Sequence, residues 1–135
     1  MRSVELNVET AGRHVLDLTD RVIGFLREVG ADEGLVHLWL PHATAGICVL
    51  EMGAGSDEDL EALLDRLLPK DDRYVHRHGS RGHGADHLLP LFAGPSLTVP
   101  VLGGRLALGT WQRICLVDRN DDNPRRKLRI SFLAA

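Results

Sequence analysis

The stretch Leu97-Thr98-Val99-Pro100-Val101-Leu102-Gly103-Gly104-Arg105-Leu106-Ala107-Leu108 decides the fold class. Leu97, Val99 and Val101 alternate with Thr98 and Pro100, which is the period of two expected of a half-buried strand. Gly103-Gly104 then makes a two-residue hairpin turn, where both central residues must reach positive φ. Arg105 to Leu108 starts the returning strand, so the pairing is antiparallel. Downstream, Ile114 to Val117 extends the apolar run and Asn120 to Pro124 is a second turn cluster. Leu128, Ile130 and Phe132 alternate with Lys127, Arg129 and Ser131 in a final strand.

Towards the N-terminus the same period recurs at Val4, Leu6 and Val8. A helix is expected after Thr19, which can cap it, with Val22, Ile23, Leu26 and Val29 on one face and Gly30 as its stop. Leu35 to Leu40 reads as a strand broken by Pro41, and Ile47 to Leu50 as its buried successor. Ser56 opens the clearest helix: it has N-cap chemistry, and Asp57, Glu58 and Asp59 suit the positive end of the helix dipole. Leu60, Leu63, Leu64 and Leu67 form its apolar stripe, and Pro69 ends it. Lys70 to His87 reads as one long polar loop, of a length that is usually functional in a compact domain. Strands at both ends with helices between give an α+β class with mainly antiparallel pairing.

The 135 residues are one domain's worth of chain, 1–135. Hydrophobic content of 44% with 26% charged residues is ordinary for a globular protein and argues against disorder. The N-terminus has no signal-peptide run and no segment reaches membrane-span length, so a cytoplasmic, membrane-free protein is expected. A net charge of −3 and 4% aromatics supply neither the basic face nor the stacking platforms that nucleic-acid binding needs. Cys48 and Cys115 sit in apolar strand-like runs and read as reduced, buried thiols.

Chemistry is expected of the histidines. Four of the seven, His76, His78, His83 and His87, fall in or at the end of the long loop. Imidazole is the commonest metal ligand and is suited to proton transfer near neutrality. No spacing here matches a zinc signature such as H-E-x-x-H or paired C-x-x-C. His87 begins an apolar segment, and His42 ends a strand before Ala43-Thr44-Ala45-Gly46, whose small residues allow a ligand close to the backbone. His14 and His37 lie in patterned segments and read as packing or surface residues. Glu51 stands at a strand terminus, and Gln112 interrupts an apolar strand pair and needs a hydrogen-bond partner.

Ser96 to Gln112, ending Gly109-Thr110-Trp111-Gln112, and Pro41-His42-Ala43-Thr44-Ala45-Gly46-Ile47 together resemble the YjbQ-like family of secondary thiamine-phosphate synthases. Asp59-Leu60, Pro69, Tyr74 with His76, and His87-Leu88 follow in the same order, so the resemblance runs from Val4 to Phe132. It implies a mainly antiparallel, barrel-like β-sandwich with two or three helices, assembled as a homotrimer. It also implies a transferase that joins hydroxymethylpyrimidine diphosphate to a thiazole phosphate, giving thiamine phosphate and diphosphate. His42, Glu51, His76, His87 and Gln112 are then the expected catalytic set. His42, His76 and His87 are the expected ligands of a divalent metal ion, Mg or Zn, converging on one pocket for a small phosphorylated substrate. His78 and His83 gain no role from the resemblance, and Leu50 and Met52 stand where such proteins usually carry asparagines. The rival readings are a metal-assisted hydrolase and a non-catalytic trimeric metal- or ligand-binding protein.

Overall fold

The computed structural model describes all residues, 1–135. Eight strands form two antiparallel, curled sheets. The larger joins β1 (Arg2–Glu9), β8 (Arg125–Ala134), β3 (Gly34–Trp39), β5 (Ser96–Leu102) and β6 (Arg105–Leu106), in that order. The smaller places β7 (Arg113–Asp118) between β2 (Val15–Asp17) and β4 (Ala45–Leu50). Helices α1 (Thr19–Glu28), α2 (Ser56–Leu67) and α3 (His83–Asp86) complete the α+β architecture. No helix is long and apolar enough to cross a membrane.

The alternation seen in the sequence becomes register. Val36 and Leu38 of β3 lie opposite Val99 and Leu97 of β5 on one side and Phe132 and Ile130 of β8 on the other. These residues form the main core together with Val8, Ile114, Leu116 and the buried face of α1. The Gly103-Gly104 turn connects β5 to β6 with φ of 54° and 73°, as a two-residue hairpin requires. The return strand is short, because pairing stops at Leu106 and resumes only in β7, in the other sheet.

Both expected helix caps are replaced. Thr19 is the first helical residue, preceded by Leu18, and its hydroxyl accepts the Ile114 backbone N–H at 2.9 Å. The Thr19 N–H is taken by the Asp17 carboxylate, also at 2.9 Å. Gly55, at φ 89°, precedes α2 in place of the expected Ser56 cap. Within α2 only Leu64 is fully buried, while Leu63 and Leu67 are exposed. It packs Leu64 onto a second, smaller core with Leu68, Ala85, Leu89, Ala93 and Val117.

The free thiols lie across from one another, Cys48 on β4 opposite Cys115 on β7. Cys115 is fully buried, and burial pushes its thiol up to about 12. Cys48 is half-buried, and burial raises its thiol as well.

Candidate metal centre

Lys70 to Gly82 is the expected loop, and the one-turn helix α3 (His83–Asp86) closes it where loop was also expected. Tyr74 anchors its start by donating its hydroxyl to the Pro69 carbonyl at 2.8 Å. α3 then brings His83 inward, and His87 follows one turn later on the same face. Two glycines permit the closure. A Cβ on Gly84 would lie 2.5 Å from the Tyr74 Cβ, and one on Gly79, at φ 79°, would lie 2.7 Å from the Asp122 carboxylate.

Four imidazoles meet here. One ring nitrogen from each of His76, His78, His83 and His87 lies within 4.8 Å of those of the other three. Nε2 of His83 and Nε2 of His87 are 3.0 Å apart. The ring centroids of His76 lie 3.9 Å from those of His78 and 4.3 Å from those of His87. Two nitrogens bound at about 2.0–2.1 Å to one tetrahedral ion stand roughly 3.3 Å apart, so the His83–His87 pair has the spacing of a ligand edge. His76 and His87 are both held below the usual histidine range, by desolvation first and then by neighbouring rings. Neutral rings keep the lone pairs that ligation needs.

A second layer lies behind His83. Its Nδ1 is buried and has no well-aligned hydrogen bond, although the Asp122 carboxylate approaches to 3.1 Å and Asp86 to 3.6 Å. Asp122 is fixed by the Ser80 backbone N–H at 3.0 Å, which is the first cause of its lowered pKa. Burial raises the Asp86 carboxyl, and Lys70 at 3.3 Å opposes that rise. A carboxylate behind one ring nitrogen directs the other nitrogen's lone pair into the cluster.

The structure thus unites two of the three expected ligands, His76 and His87, and adds His78 and His83, which the sequence reading had set aside. The missed signal was His87 four residues after His83, a spacing that puts both rings on one helical face.

His42 is not among the clustered rings. Register pairs Trp39, the last residue of β3, with Arg129, so Lys127 lies beyond the end of β3. His42 Nε2 accepts the Lys127 N–H at 2.8 Å. Backbone satisfaction at a strand end therefore uses the nitrogen that ligation would need. Glu51 is exposed just past β4 and belongs to neither the cluster nor its cavity. Gln112 turns back on its own loop, its Oε1 accepting the Gly109 N–H at 2.7 Å, and lines a different cleft.

His42 is also held below the usual range, by burial first and then by Arg126. With His42, His76 and His87 all lowered, the unfolded chain binds protons more readily than the native one. Their contribution to stability is complete above about pH 6.5 and is lost as pH falls from there through the native values. The thermal midpoint of metal-free protein is expected to drop between about pH 7.5 and about pH 5.5, and His42→Gln should make that drop smaller. Superimposable melts at the two pH values would contradict this.

A curled antiparallel α+β half-barrel carrying an imidazole cluster is the class of protein these features define. The chain belongs to the UPF0047 (YjbQ-like) family, whose model matches residues 4–135. It is 61% identical over 128 residues to a UPF0047 protein of Mycobacterium bovis, covering 95% of this chain and 98% of that one. A UPF0047 protein of Archaeoglobus fulgidus is 37% identical over 124 residues, 91% of this chain and 95% of that one. Among solved structures, a hypothetical protein from Aeropyrum pernix superposes with a TM-score of 0.90 at 34% identity, covering 100% of both chains. A YbjQ-like protein of unknown function from Sulfolobus solfataricus gives 0.90 at 26% identity, covering 99% of this chain and 97% of that one.

Proposed function

We propose that the chain is a metal-dependent enzyme acting on a small phosphorylated substrate, with His76, His78, His83 and His87 as the ligand set. The convergence of four imidazoles, backed by the Asp122 carboxylate, is the observation that carries this reading. An all-nitrogen set suits zinc or a similar transition metal; magnesium takes oxygen donors, so of the two ions expected zinc is the one these residues fit. Three rings with the fourth displaceable would leave an open position, as catalytic zinc sites do.

When bound, the ion supplies positive charge for phosphate oxygens and lowers the pKa of a bound water. The chain's own residues do the rest. A cavity of about 220 Å³ beside the histidines is lined by Tyr74, Ser80, Arg77 and Arg81, and also by the carboxylates of Asp71, which Arg73 pairs, and Asp72. Arg77 has no carboxylate partner, and Arg81 has only an exposed contact with Asp72 at 3.4 Å, so both guanidiniums are open to phosphate oxygens.

The specific reaction we propose is the thiamine-phosphate synthase one. A C–N bond forms between the pyrimidine methylene and the thiazole nitrogen while the bond from that methylene to diphosphate oxygen breaks, and the diphosphate leaves with the bonding pair. Arg77 and Arg81 are placed to receive its charge. Were one of the four rings to leave the ion, the vacated position would suit the hydrolase as second reading, with water as the attacking group. The homotrimer and the cytoplasmic location belong to the same proposal.

Elemental analysis of purified protein, together with incubation with hydroxymethylpyrimidine diphosphate with and without thiazole phosphate, tests it. Bound zinc and thiamine phosphate formed only with both substrates support the synthase. Consumption of the diphosphate without thiazole phosphate supports the hydrolase. Protein that neither retains nor takes up metal overturns the metal reading.

A further inference from the structure

The signature segment that carries Gln112 is not used by the histidine centre. It lines the largest cleft of the molecule, about 560 Å³, which shares no residue with the cavity beside the histidines. Such a volume is in the range of small-molecule sites.

Its construction follows from three elements. α1 contributes Ile23 and Leu26, and the hairpin and the chain after it contribute Leu106 and Leu108, of which Leu26 is buried and the others half-buried, so the cleft has an apolar part. The rim carries Arg27, Arg105 and Arg113, and no carboxylate lines the cleft, although the whole chain has a net charge of −3. Arg113 is neutralised by Asp17 at 2.6 Å and by Asp20 at 3.4 Å. Arg27 and Arg105 take part in none of the ion pairs of the fold, a state they share with Arg2, Arg13, Arg21, Arg66 and Arg77, but they are the two of these seven that line this cleft. Arg27 also complements the C-terminal end of α1, but Arg105 lies outside any helix. Thr110 is also among the lining residues.

We infer that this cleft is a second binding site, separate from the histidines, for a small organic oxyanion. The guanidiniums of Arg27 and Arg105 take its oxygens and the apolar part takes its carbon body. Guanidinium forks match both phosphate and carboxylate, so the oxyanion is the recognised chemistry in either case.

Calorimetric titration of the purified protein with phenyl phosphate, benzoate and phenol tests the inference. Saturable binding of phenyl phosphate or benzoate, with none for phenol, is expected, and the tighter of the two names the oxyanion. Arg27→Gln and Arg105→Gln should each weaken that binding about tenfold or more, the loss of one charge-assisted contact. Both side chains are exposed, so the fold is not at stake, and circular dichroism checks it. His87→Ala should leave the affinity unchanged, which separates this site from the metal centre. No saturable binding of either anion, indifference to both arginine substitutions, or loss of binding in His87→Ala would each overturn it.

Discussion

His83→Ala is expected to abolish tight zinc binding. The ring is buried, its Nε2 stands 3.0 Å from that of His87, and Asp122 backs it from the other side. Removing a ligand should cost more than the roughly 10–100-fold that an outer carboxylate is worth. Asp122→Asn should show that smaller loss, because an amide holds the ring without favouring the same tautomer as strongly. His87→Ala should match His83→Ala, and His42→Ala should leave affinity unaltered, since His42 is occupied by the Lys127 N–H. Competition with a chromophoric zinc chelator reads all four. Wild-type affinity in His83→Ala, or a large loss in His42→Ala, would return the site to the histidines the sequence first suggested.

Asp118→Ala should be among the most destabilising substitutions in the chain. The Arg126 and Asp118 side chains are 3% and 0% exposed, and their contact is bidentate. Arg126 also donates to the Thr44 hydroxyl at 2.8 Å, and Asn120 donates to the same oxygen at 2.9 Å. Deleting the carboxylate strands a buried guanidinium, at a cost of about 3–5 kcal/mol. For a domain of this size that corresponds to a fall in Tm on the order of 10 °C. Replacing both partners, as Asp118→Leu with Arg126→Met, should recover most of the loss, since well-packed apolar pairs often match buried ion pairs. Thermal unfolding of the three proteins decides it; a single variant that melts with wild type would show the pair contributes nothing.

The sequence by itself determined the antiparallel class, the strand alternation of β1, β3, β5 and β8, the Gly103-Gly104 reversal and the Pro69 stop of α2. These are local properties: a pleated backbone sends alternate side chains to opposite faces, and a two-residue hairpin needs φ values that glycine supplies. It also placed chemistry on histidines, and two of those it named, His76 and His87, lie in the four-ring cluster. Only tertiary structure decided which rings meet. His83 is buried because Gly84 lets α3 close on Tyr74 and because Asp122, nearly forty residues later, lies behind its ring. His42 is drawn away because β3 ends before the register of β8 does, leaving a Lys127 N–H to satisfy. Thr19 and Gln112 were diverted in the same way, one to the Ile114 N–H and the other to Gly109. Periodicity reports how each residue faces its own strand or helix; the partner of a polar side chain is set by whichever unsatisfied group the packed chain brings within hydrogen-bond distance.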